Sequence, residues 1–130
     1  DAVKSAPEGW RVPTDQDWKS LERQLGMSEG DLDAEDLRGE HEADVLRSAA
    51  LGFNLVMGGN VIRKPMPGNA GNWVYARECG YYWTSTLDES KTDYEAAYCR
   101  KFLYNSGKIG RYSVSTLMRM MSVRYVRDAQ

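Results

Sequence analysis

Histidine is almost missing from this 130-residue chain, and His41 is the only one. A Ser-His-Asp or Cys-His unit would have to recruit it from beside Glu40, Glu42 and Asp44, with no glycine-elbow motif elsewhere. Nucleophilic catalysis is therefore disfavoured, and His41 reads as an exposed residue on an acidic helix. Cysteine is scarce too, with Cys79 and Cys99 and no CxxC. That argues against a zinc site and leaves one disulfide or two free thiols. Long apolar runs are lacking: residues 51–62 are interrupted by Gly52, Asn54, Gly58, Gly59 and Asn60, so no membrane span is expected within the chain. Nor is there an excess of positive charge. Against 19 Asp and Glu stand 17 Lys and Arg, a formal charge of -2 that removes the electrostatic footprint of a nucleic-acid binder. No Met or leader segment opens the chain at Asp1, so targeting information is expected to be absent or already cut away.

What is present suits one domain. A 42% hydrophobic fraction with four Trp is enough for a core without metals. Residues 1–8 read as a mobile lead-in and residues 9–130 as the single domain. The chain is organised around residues 80–102, GYYWTSTLDESKTDYEAAYCRKF. A strand over Tyr82–Thr86, a polar turn over Leu87–Tyr94 and a returning strand over Ala96–Leu103 make a hairpin with a solvated loop. Upstream, Thr14 is a good N-cap with Asp17 as capping-box partner and Pro13 just before it. Trp18, Leu21 and Leu25 fall on one helical face, and Gly26 supplies the stop.

Residues 28–50 are expected to be a second helical region with a sparse apolar face and an acidic side in water. Gly52–Val56 reads as a short buried strand, and residues 60–79 as a long irregular stretch carrying Pro65, Pro67 and Gly71. After the hairpin come a turn over residues 104–108, a strand over Ile109–Val114, a loop over Ser115–Met121 and a closing strand over Ser122–Arg127.

Candidate chemistry is thin. Asp31, Asp33, Glu35 and Glu42 take positions 1, 3, 5 and 12 of an EF-hand-like loop, but the sixth position is Asp36 where the sharp turn needs Gly, so these are weak calcium candidates. A solvated acidic helix start is the plainer reading. No spacing selects a pair of carboxylates for glycoside hydrolysis. Asn69, Asn72, Trp73, Tyr75 and Arg77 combine aromatic faces with amides and a guanidinium, the groups that sugar recognition uses, and are the ligand-binding candidates. Their structural reading is that Trp73 and Tyr75 pin the long loop onto the hairpin. Trp10, Trp18 and Trp83 are assigned to the core. If the hairpin turns near Ser90 or Lys91, Cys99 faces Tyr82 or so, and Cys79 lies about three residues, roughly 10 Å, further on. A disulfide needs Cα atoms within about 7 Å, so a Cys79–Cys99 bridge is left open, not indicated. Two inert buried thiols are the alternative, and a redox or copper pair lacks an activating His or CxxC.

The segments GWRVPTDQDWKSLE, GFNLVMGG, GYYWTSTLDES, AAYCRKFLYNSGKIGRYS and SVRYVRD resemble, in order and spacing, the Fibrobacter succinogenes major paralogous domain. The resemblance covers Gly9 to Asp128. It implies an α+β, C-type-lectin-like fold, with two helices flanking twisted antiparallel strands, a long irregular loop, and termini brought together. It further implies an exported bacterial protein, at the cell surface or extracellular and often a lipoprotein, but no settled activity. With the aromatic and amide cluster above, the chain is read as a non-catalytic binding or adhesion module for a glycan or surface protein. No cofactor is implied. An enzyme of the related sulfatase-modifying, formylglycine-generating type, which works through paired cysteines, and a purely structural assembly module are the alternatives. The Glu-Pro-Asn, Gln-Pro-Asp and Trp-Asn-Asp signatures of calcium-dependent lectins are missing, so calcium-bridged sugar binding is not expected.

Overall fold

The computed structural model describes residues 2–48, 60–62, 73–74, 78–117 and 119–128, with 60–62 and 73–74 described by backbone alone. In chain order the elements are α1 (Asp15–Gln24), α2 (Glu29–Leu32), β1 (Asp36–Arg38), α3 (Glu42–Arg47), β2 (Asn60–Ile62), β3 (Trp73–Val74), β4 (Cys79–Leu87), β5 (Ala96–Leu103), β6 (Ile109–Ser115) and β7 (Arg119–Met120). This is a small α+β fold. Its main sheet is antiparallel, in the order β1-β6-β5-β4, and a second sheet runs β3-β2-β7.

The expected hairpin is β4 and β5, with the turn where the polar run placed it. Asp88 N–H reaches the Ala96 carbonyl at 2.8 Å, and the Asp88 carboxylate accepts from the Ser90 amide and hydroxyl, an Asx-type closure. The register then slips: Trp83 faces Cys99 but Leu87 faces Ala97, so β4 carries extra residues in a bulge. The bulge has a use. It lets the Thr86 hydroxyl accept from the Asp15 amide at 2.8 Å and the Ser85 amide donate to the Pro13 carbonyl at 2.9 Å, which seats the start of α1 on the sheet. The capping box closes as predicted, Asp17 N–H to Thr14 Oγ1 at 3.0 Å and Thr14 N–H to Asp17 Oδ2 at 2.8 Å. Past the helix, Gly26 takes φ +104° and turns the chain.

One sheet face packs α1. Trp18, Tyr82 and Phe102 meet with ring centroids 5.8 to 6.2 Å apart, and Met27, Leu32, Ala43, Leu46 and Ile109 complete the core. Such ring pairs contribute about 0.5–1.5 kcal/mol each beyond their buried area. The buried stripe of α1 is Asp15, Trp18, Lys19 and Glu22, not the expected Trp18, Leu21 and Leu25, and both leucines are only partly buried. The reason lies on the facing strands. Arg100 on β5 and Arg111 on β6 are cross-strand partners and both are buried. Asp15 bridges them, accepting from Arg100 Nη1 at 2.7 Å and Arg111 Nη2 at 2.9 Å. Glu22 accepts from Arg100 Nε at 3.1 Å and from Arg38 Nη2 at 2.8 Å, tying β1 to the same helix. Lys19 reaches Asp15 at 3.2 Å and the outlying Asp33 at 2.5 Å.

Several expectations are corrected. Residues 28–48 are not one helical region: a single turn, α2, is followed by strand β1 and then α3. Left-handed backbone at Asp36 (φ +71°) and Gly39 (φ +79°) interrupts any continuous helix. A Cβ on Gly39 would run into the Glu42 carboxylate, which caps the Glu40 and His41 amides. Three helices therefore stand among the described residues where two were expected. Residues 115–121 are not all loop, because β7 pairs with β2, and two residues leave no readable period. The closing strand reduces to isolated bridges, Ser122 to Tyr82 and Val126 to Arg11. The latter brings together segments near both ends of the chain. Trp10 is not core: it is 42% exposed beneath the Arg127 guanidinium, 5.1 Å from its ring centroid. The strand expected over Gly52–Val56 lies outside the described residues.

Two predictions follow from the ion network. Arg100→Met strips partners from both Asp15 and Glu22 and should cost about 3–5 kcal/mol in urea unfolding, the range for breaking a buried pair. A loss below about 1 kcal/mol would show the network to be unimportant. The second concerns acid. Burial pushes Asp15 upward, but the Arg111 hydrogen bond and the charge of Arg100 outweigh it and hold its pKa at about 2 against an ordinary 3.8. Its stabilisation is complete above pH 3.8 and is lost as pH falls toward 2, up to about 2 kcal/mol. Glu22 moves oppositely, raised by burial against the pull of Arg100 and Arg38, so its share grows on acidification. Unfolding free energy should therefore hold down to about pH 4 and drop steeply below, and Asp15→Asn should flatten that drop.

Candidate binding cleft

The sheet face away from α1 is built by the same period of two. Tyr81 and Trp83 on β4, Ala97, Cys99 and Lys101 on β5, and Gly110, Tyr112 and Val114 on β6 alternate with the core-facing residues. The register sets them in rows, Tyr81 beside Lys101 beside Gly110, and Trp83 beside Cys99 beside Tyr112. Gly110 is required by this packing: a Cβ there would sit 2.6 Å from Tyr112 Cε2 and 3.1 Å from Lys101 Cβ. With no side chain in the way, the Tyr112 ring leans toward Lys101, whose Nζ lies 5.5 Å from the Tyr81 centroid and 5.7 Å from that of Tyr112. The Tyr112 hydroxyl donates to Asp36 at 2.6 Å.

The chain after β6 returns along this face. Ser122 is held to the β4 edge by Trp83 N–H to its carbonyl and its own N–H to the Tyr81 carbonyl, each 3.1 Å. Between this returning segment and the sheet lies a cleft of about 460 Å³, lined among others by Trp83, Ser85, Leu87, Glu95, Leu117 and Met120. A second cavity of about 250 Å³ lies against Tyr81, Cys99, Lys101 and Tyr112. Arg119 and Met121 line both, so the two cavities adjoin.

The sequence-level candidates fare differently. Asn69, Asn72, Tyr75 and Arg77 lie outside the described residues, and Trp73 is described by backbone only, paired with Val61. The weak calcium set does not converge. Asp31 is in α2, Asp33 is drawn to Lys19, Glu35 is exposed before β1, and Glu42 turns onto backbone amides in α3. Among the described residues no group of three or more His, Cys, Asp or Glu is placed to hold a metal. Cys79 faces Leu103 while Cys99 faces Trp83, four positions along the ladder, roughly 13 Å and beyond disulfide reach. Both are free thiols. Burial pushes Cys99 up to about 12, against the nearby charges of Arg100, Lys101 and Arg119, and it raises Cys79 as well.

Sequence reasoning missed this cleft because it assigned Trp83 to the core. The available signal was the alternation of aromatic, small and cationic residues at odd positions of β5 and at Tyr81 and Trp83, which marks a second lined face. The Fibrobacter succinogenes major domain matches the chain over residues 1–127. No curated protein and no solved structure matches it. The thiol assignment is checked by labelling: with Ellman's reagent the native protein should react slowly, since neither thiol ionises readily, and the denatured protein should titrate two thiols without reductant. No titratable thiol after denaturation would mean a bridge.

Proposed function

The chain belongs to the Fibrobacter succinogenes major domain family, and we propose that it is an exported, non-catalytic binding or adhesion module at a bacterial surface. In this reading the fold is C-type-lectin-like. The antiparallel sheet with a helix on one face and the bridge between Arg11 and Val126 support that placement. The ligand seat is the larger cleft, with the second cavity beside it.

One observation carries the proposal. Of the nine large hydrophobic side chains exposed among the described residues, four, Val3, Leu87, Leu117 and Met120, line this one cleft. Exposed hydrophobics scattered singly are ordinary, whereas their gathering around a concavity marks an interaction site. A rim of Leu, Val and adaptable Met suits the apolar side chains of a protein partner. A glycan is the second reading. Trp83 with Ser85, Glu95 and Thr116 in the same lining offers a ring face beside hydroxyls and a carboxylate. The sulfatase-modifying alternative needs a reactive cysteine pair, and the separation of two buried, weakly acidic thiols speaks against it. Among the described residues no helix is long and apolar enough to cross a membrane.

The rim supplies the test. Leu117→Ser with Met120→Thr alters exposed positions, so thermal stability should stay within about 0.5 kcal/mol of the parent. Binding of the labelled domain to intact cells of the producing bacterium should weaken at least about fivefold, the equivalent of about 1 kcal/mol. Unchanged binding by a folded variant would remove the cleft from consideration. A glycan-array signal from the parent, with or without calcium, would favour the second reading over the first.

A further inference from the structure

We propose that Met120, with Met121 beside it, makes the cleft redox-sensitive: a peroxide converts the rim thioether to a sulfoxide and weakens the hold on an apolar partner. The proposal rests on the protein-binding reading above and adds a regulation of that site.

The two methionines sit where a partner would meet the cleft. Met120 is 48% exposed, and both line the larger cleft, Met121 lining the second cavity as well. The backbone of Met120 is paired with Val61 in the β2–β7 ladder, so its thioether stays at the rim. By contrast Met27 is 4% exposed in the core, with its sulfur 3.0 Å from Arg38 Nη1. The thiols compete poorly for an oxidant. Peroxide reacts with thiolate, and Cys79 and Cys99 are buried and held protonated by that burial. Among the described residues the accessible sulfur is therefore a thioether.

With hydrogen peroxide as oxidant, the sulfur lone pair attacks one peroxide oxygen, the O–O bond breaks and an S–O bond forms. The sulfur gives up two electrons, and the departing hydroxide takes the proton of the transferred oxygen and leaves as water. A flexible apolar side chain becomes a polar one. The sulfoxide oxygen is a strong acceptor that holds water, and an apolar side chain seated against Leu117 and Met120 would displace that water without replacing its hydrogen bonds. Exposed at the rim, Met120 takes the oxygen without disturbing the core. The fold survives while the binding changes, which separates a switch from damage.

The test treats the purified domain with dilute hydrogen peroxide and maps its tryptic peptides by mass. Peptide Met120–Arg124 holds these two methionines and peptide Gln24–Arg38 holds Met27 alone, so the two sites are read separately. The first should gain oxygen at least about tenfold faster. The oxidised domain should bind intact cells of the producing bacterium about fivefold more weakly at an unchanged thermal midpoint. Treatment with the two methionine sulfoxide reductases, one for each epimer, should restore binding. Met120→Leu with Met121→Leu, whatever its own starting affinity, should keep that affinity through peroxide. If the pair does not fold, Met120→Leu alone should lose less than the parent. Oxygen entering the Met27 peptide as fast as the Met120 peptide, or undiminished binding by the oxidised parent, would overturn this proposal and leave the cleft reading to its rim variant. The full loss in the folded leucine variant would overturn the assignment to these two residues. No binding by the untreated parent would overturn both readings.

Discussion

Two arginines directly opposite each other on neighbouring strands repel, and this fold is arranged around making that juxtaposition tolerable. Arg100 and Arg111 are buried partners in the β5–β6 ladder, and neither reaches solvent from the helix-covered face. The compensation comes from α1, which turns Asp15 and Glu22 inward at the positions where an ordinary amphipathic helix would present leucine. Arg38 from the edge strand β1 joins the same carboxylates. One helix thus holds three of the four strands of the main sheet through charge, while Trp18, at the middle of the same stripe, packs on Tyr82 and Phe102.

Buried ion pairs are poor contributors to net stability, because desolvation offsets most of the attraction. What this network supplies is discrimination between registers. Side chains alternate with a period of two, so a slip of one residue between β5 and its neighbours would turn Arg100 outward and bring Cys99 and Lys101 under α1. Asp15 and Glu22 would then be buried with too few partners, at a cost of several kcal/mol. An apolar core would resist the same slip far less, since Cys99, Phe102 and Ala97 are all small or greasy enough to be buried on either face.

This explains how much was legible. The hairpin, the β6 strand and the capping box around Thr14 could be read because each has a local signal: polar residues between aromatic arms, a turn sequence, a hydroxyl followed three residues later by a carboxylate. The buried stripe of α1 could not. Asp15, Lys19 and Glu22 look solvent-facing to any rule that equates charge with exposure, and only the arginines that face them from distant strands, Arg38, Arg100 and Arg111, reverse it. The break in residues 28–48 was hidden for a related reason. Glu42 was taken for a helix-surface acid, whereas it folds back on the amides after Gly39. Trp83 was misread because a strand with aromatics at both parities has two lined faces, and sequence does not say which one the rest of the chain covers. The amide-rich set around Asn69 and Asn72 lies outside the described residues.

The network and the cleft lie on opposite faces of the same strands and share a register, so the first determines the second. With Arg100 fixed toward Asp15, Cys99 and Lys101 must face the other way, and with Arg111 fixed likewise, Gly110 and Tyr112 must follow. The glycine then leaves space that the Tyr112 ring occupies, and that ring with Tyr81 brackets Lys101. The place of Lys101 in the second cavity is therefore set by a helix that supplies none of that cavity's described lining. Loops set on a rigid sheet can vary without loss of the fold, and here one wall of the cleft is the returning segment with Leu117, Arg119 and Met120. The lining of the cleft can change through those residues while Lys101 stays where the buried arginines put it.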